Sequence, residues 1–127
     1  FTFIGNQYHL MAGSRDLYID LLLFHRRLRS LVAIELKIGE FEAEYAGKMQ
    51  LYLTALDEQV KLPDENPSIG MIICKSKDKT YVEYALKQTS APIGVATYQL
   101  RSTLPDNMKA MLPEPEEIAK RLRIFEQ

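Results

Sequence analysis

An α/β fold, with a mixed β-sheet flanked by helices, is predicted by three features of this 127-residue sequence. Two apolar runs, Tyr18 to Phe24 and Leu31 to Ile38, are rich in aliphatic and β-branched residues and are separated by the polar stretch His25 to Ser30, as in a hairpin. After Gly39 the apolar period lengthens from two to between three and four residues, the mark of an amphipathic helix. The later order of apolar run, helical stretch and apolar run favours a parallel pair of strands joined by a right-handed crossover.

Residues 1–12 read as a first strand, with bends or bulges at Gly5-Asn6 and Gly13-Ser14. Phe41, Tyr45, Met49, Tyr52, Leu53, Leu56 and Val60 then set out a helix from about Glu42 to Lys61, ended by the Pro63 to Pro67 segment. Ile69 to Cys74 is almost continuously apolar, as in a strand buried on both faces. Residues 80–86 form a short helix with Asp78 or Thr80 as N-cap, and Pro92 to Leu100 forms the last strand. Residues 104–112 and 116–125 read as helices, so a core over 1–103 carries a C-terminal helical extension over 104–127.

A hairpin tip centred between Arg27 and Leu28 sets Asp20 directly across from Glu35, and period two places Lys37 on the face of Glu35. The tip lacks the Asn-Gly or Asp-Gly signal that fixes two-residue turns, and a slip by one residue sends the acids to opposite faces. Facing carboxylates in an apolar sheet repel unless a cation lies between them. Magnesium accepts one or two carboxylates together with waters and substrate phosphates, which suits metal-assisted phosphodiester hydrolysis. The structural alternative is a cross-strand Glu35–Lys37 pair at a sheet rim with Asp20 solvated.

The net charge of −1 argues against indiscriminate nucleic-acid binding, but the cations are clustered. His25, Arg26, Arg27 and Arg29 crowd the hairpin tip, which reads as surface, and Lys75, Lys77 and Lys79 follow a later strand. Lys48 on the long helix is a further candidate substrate contact. Asp16 shares the parity of Asp20 and is either a supporting acid or the strand entrance. The single cysteine, Cys74, excludes an internal disulfide, fits a reducing cytoplasm and reads as a small buried hydrophobe. No apolar run approaches 18 residues, so no membrane span is expected. No phosphate-cradling Gly-rich loop is present, and His9 and His25 lack zinc spacing.

The Asp20…Glu35-Leu36-Lys37 pattern resembles the PD-(D/E)XK nuclease superfamily, whose signature is an acid on one strand and E-x-K on the next. Phe3-Ile4-Gly5, Asp16 to Leu22, His25 to Leu28, Val32 to Phe41, Glu44 to Met49, Asn66 to Gly70, Cys74 to Lys77, Val82 to Leu86 and Pro92 to Ala96 resemble its YhcG-like branch, over most of the chain from Phe1 to about Leu112. Ile19 stands where the signature has proline. The resemblance implies a restriction-endonuclease-like core and a Mg²⁺-dependent endonuclease acting on nucleic acid, DNA being expected, with Mn²⁺ as a substitute ion. It implies that Asp20, Glu35 and the Leu36 carbonyl hold the metal, while Lys37 positions the attacking water or offsets developing charge. Arg26, Arg27, Lys48 and Gln50 are then expected to touch substrate. A start at Phe1 suggests a piece of a longer chain with a separate N-terminal domain, and a homo-oligomer is open. The rival reading is a nuclease-like module that binds DNA or a protein partner without cutting.

Overall fold

The structure, a computed structural model, describes residues 1–98. The chain runs β1 (Thr2–Ala12), β2 (Arg15–His25), β3 (Ser30–Leu36), α1 (Ala43–Gln59), β4 (Ile69–Cys74), α2 (Lys79–Leu86) and β5 (Ile93–Thr97). The five strands form one sheet in the order β1-β2-β3-β4-β5. The first three pair antiparallel, whereas β3–β4 and β4–β5 are parallel. This is the expected α/β architecture. The helices expected over 104–112 and 116–125, the extension over 104–127 and the end of the last strand lie outside the described residues.

The β2–β3 register pairs Leu21 with Ile34, Leu23 with Val32 and His25 with Ser30, which is the register of a tip centred between Arg27 and Leu28. It is held by burial: Leu21, Leu22, Ala33 and Ile34 are each no more than 2% exposed, and a one-residue slip would exchange the two faces of the hairpin. Gly13, at φ +62°, takes the first central position of the β1–β2 turn, where glycine meets no steric penalty. A bulge between Phe3 and Gly5 shifts the β1 register, as the glycine suggested.

Helix α1 buries Ala46, Met49, Tyr52, Leu53, Ala55 and Leu56, with Met49 and Leu53 packed over Gly70 on β4. The opposite face of the sheet carries a smaller cluster of Leu21, Leu23, Val32, Ile34, Met71, Ile73 and Ala96. Helix α2 begins at its predicted cap, with Asp78 Oδ1 accepting from the Tyr81 amide at 3.1 Å. No helix among the described residues is long and apolar enough to cross a membrane.

One expectation fails here. His25 is not surface but only 6% exposed. Its Nδ1 accepts from the Leu28 amide at 3.0 Å, and Phe1 packs edge-on against its ring. The polar tip folds over its own first residue, and burial holds the imidazole pKa below its usual value, helped by the positive N-terminus and Arg27.

Candidate active site

The hairpin register delivers the two acids to one place. The Asp20 amide donates to Glu35 Oε1 at 3.1 Å, and the Leu36 amide donates to Asp20 Oδ2 at 3.0 Å. Each carboxylate is thus fixed by the backbone of the other's strand. Asp20 Oδ1 accepts from Gln7 Nε2 at 3.1 Å. Gln7 holds a φ of +47°, a left-handed conformation that is costly for a residue with a side chain and tends to persist where function needs it.

Glu35 is 6% exposed, and its carboxyl pKa is pushed up to about 8. Burial is the largest cause, followed by the charge of Asp20 and the hydrogen bond to it, with Lys37 opposing the shift. Tyr52, packed beneath, has its phenol pushed up to about 12 by burial and then by the charges of Glu35 and Asp20. Without a cation, the pair therefore favours holding a proton on Glu35 at neutral pH rather than ionising both acids.

A cleft of about 380 Å³ opens over this centre, lined by Gln7, Asp16, Tyr18, Asp20, Glu35 and Lys37, with Leu17, Leu36, Lys48 and Tyr52 completing the wall. Lys37 lies with its ammonium 4.8 Å from the centre of the Tyr45 ring, and Lys48 lies 5.7 Å from that of Tyr52; both cations line the mouth. Glu35 and Lys37 sit at the carboxyl end of β3, where β3 and β4 run parallel, the end at which open α/β sheets usually place ligands.

The other candidates are placed elsewhere. Gln50 faces away from the cleft, its Oε1 accepting from the Ala91 amide at 3.1 Å. Arg26 and Arg27 lie at the hairpin tip, about 20 Å along β2 from Asp20 at the usual strand rise, outside the cleft wall. Asp16 does line the cleft, and its Oδ1 pairs with His9 Nε2 at 2.7 Å. Cys74 is fully buried with its thiol pushed up to about 11 by burial, as befits an inert core residue. Gln7, Tyr18 and Tyr52 carried no assignment in the sequence. The signal for Gln7 was its position across the β1–β2 ribbon from Asp20, which can be counted from a two-residue turn at Gly13-Ser14.

A mixed sheet with an acid on one strand and Glu-x-Lys on its neighbour defines a nuclease domain of the PD-(D/E)XK class. The chain belongs to the family of YhcG PDDEXK nuclease domains, which matches residues 1–113. It is similar to the Escherichia coli (strain K12) protein named "Putative nuclease YhcG", with 39% identity over 109 residues, or 86% of this chain. The match spans 28% of that protein's length. No solved structure matches the chain at a significant level.

Proposed function

We propose that this domain hydrolyses phosphodiester bonds in nucleic acid, DNA in particular, as an endonuclease with Mg²⁺ at Asp20 and Glu35. The observation that carries this reading is the abutting pair of carboxylates, with Lys37, in one open cleft. The donor set suits the ion. Both acids supply hard oxygen atoms, and the Glu35 carboxyl, raised first by burial and then by the charge of Asp20, is one whose ionised form a divalent cation would favour. Among the described residues no cluster of three or more acidic, histidine or cysteine side chains forms a closed metal cage. Magnesium ordinarily takes one or two carboxylates and leaves its other positions to water and phosphate. The Leu36 carbonyl is the third protein donor of this proposal, and Mn²⁺ shares the preference for oxygen.

When bound, the ion polarises the phosphoryl group and acidifies a water. The chain's own residues do the rest. Asp20 is held rigid by Gln7 and the Leu36 amide, so the ligand geometry is set before substrate arrives. Lys37 holds the attacking water or faces the charge that grows on the phosphate. Lys48 grips a phosphate at the cleft mouth, and Arg26 and Arg27 grip backbone farther along the sheet. The family membership supports a nuclease activity, and the activity of the longer protein, including any companion domain, belongs to the same proposal.

The test is isothermal titration of Mg²⁺ and Mn²⁺ into wild type and an Asp20→Asn, Glu35→Gln double variant, beside a plasmid-nicking assay. Metal binding and nicking are expected in wild type and absent from the variant. Metal binding without nicking of any substrate would favour a binding module that keeps the nuclease fold. No metal binding by wild type would overturn the catalytic reading.

A further inference from the structure

The outer face of the β1–β2 ribbon extends the cleft beyond the acids. His9 pairs opposite Tyr18 and Met11 opposite Asp16, with Gln7 next along beside Asp20. Alternation puts these six side chains on one face. Tyr18, Asp16 and Asp20 line the cleft, whereas His9 stands behind Tyr18, off the cleft wall.

Tyr18 is an exposed aromatic residue, at 51%, beside the acid. Its ring stacks on His9 with centroids 4.9 Å apart and planes 25° from parallel. Asp16 in turn fixes the imidazole through the 2.7 Å contact. The imidazole therefore covers one face of the phenol and braces it, leaving the remaining face and edge toward the cleft. Two residues of strand place Tyr18 about 7 Å from Asp20, adjacent to the reacting phosphate of the proposed reaction.

A braced, solvated ring is a stacking platform. Base–aromatic stacking tolerates any sequence, because every base has a π-face, and it serves single-stranded nucleic acid. Bases inside a paired duplex already have both faces covered by their neighbours and offer none to a protein ring. The cleft volume, about 380 Å³, falls at the small end of the roughly 300–1,000 Å³ usual for small-ligand pockets, room for one base with its phosphate. Resting on the nuclease reading, we infer that Tyr18, braced by His9 and Asp16, receives one unpaired base next to the scissile phosphate. The preferred substrate is then a strand with an unpaired nucleotide at the cut, as in a flap, an overhang or a single strand, and not a flush duplex.

The experiment compares two DNA probes of equal length, one flush and one carrying a short flap with 2-aminopurine at the junction. Binding is followed by anisotropy and by aminopurine emission, with Ca²⁺ replacing Mg²⁺ to hold turnover off. Wild type is expected to bind the flap more tightly than the flush duplex and to quench the aminopurine. Tyr18→Ala should weaken flap binding about 5- to 100-fold, abolish the quench and leave flush-duplex binding unchanged. Tyr18→Phe, which keeps the ring, should retain both signals, and thermal unfolding checks that each variant is folded. Equal binding of both probes by wild type, or flap binding and quench that survive Tyr18→Ala, would overturn the inference while leaving the nuclease reading intact. Failure of wild type to bind either probe would overturn both.

Discussion

The cleft beside β2 and β3 and the groove between α1 and α2 have similar volumes, about 380 and 420 Å³, and α1 contributes a wall to each. The cleft gathers Asp20, Glu35, Lys37 and Lys48. The groove is lined by Ala43, Ala46, Gly47, Tyr81 and Tyr84 with neighbouring neutral residues, and no charged side chain is among those lining it. Size therefore says little about which hollow can react. What separates them is convergence: β2, β3 and α1 each deliver charge to the cleft, and burial raises the energy of that charge until a ligand answers it. Lys48 and Gln50 show how narrowly this is decided. Two residues apart on α1, they stand about 200° apart around the helix axis, so one faces each hollow.

The comparison breaks first at Lys37. Lys37→Ala is expected to lower nicking by about 10²- to 10³-fold, the usual loss for one electrostatic contact to a transition state. Gln50→Ala, on the groove side, should leave the rate essentially unchanged. Equal losses in both would mean that the groove takes part in the reaction.

Acidity separates the hollows next. Because the Glu35 pKa rises from 4.5 to about 8 on folding, the folded state holds its proton more tightly than the unfolded chain. That contribution to stability is complete below about pH 4.5 and is lost as pH rises through about 8, on the order of a few kcal/mol in all. Thermal unfolding without metal should show a melting temperature that falls between pH 5 and pH 8, and Glu35→Gln should flatten the fall. Added Mg²⁺ should oppose it, increasingly at higher pH, because the ion needs the deprotonated carboxylates. A wild-type profile as flat as that of Glu35→Gln would contradict the buried, mutually repelling pair.

Gln7 sharpens the picture within the cleft. Gln7→Ala should cost about 10- to 100-fold in metal affinity or rate, as loss of a partner that orients a ligand commonly does, and Gln7→Gly should lose the same contact while relieving the strain at φ +47°. A stability gain with reduced Mg²⁺ affinity in titration would mark the residue as held for function. An unchanged affinity would reduce it to a structural partner of Asp20.

The smallest effect tests the wall the hollows share. A Cβ on Gly70 would lie 2.6 Å from Met49 Cγ, 2.8 Å from its Sδ and 3.2 Å from Leu53 Cδ1. Gly70→Ala should therefore lift α1 slightly from β4 and destabilise by about 1–3 kcal/mol in urea unfolding. Met49→Ala in the same chain should recover part of that loss.

The sequence alone determined the antiparallel hairpin and the extent of α1 within about two residues at each end, and it offered the pairing of Asp20 with Glu35 as one register of those its unmarked turn left open. Period two and period 3.6 are local properties, and the β2–β3 register observed keeps both apolar faces covered. The tertiary structure decided the rest. It turned Lys48 toward the acids and Gln50 away, because the rotation of α1 is set by how Met49 and Leu53 seat over Gly70. His25 went under its own tip, where a run of polar residues had suggested surface. Strain at Gln7 and the stack of Tyr18 on His9 likewise depend on contacts between strands, and composition carries no trace of them. Residue pattern fixes which groups can meet along one element; only the packing of elements against one another fixes which of them face the same space.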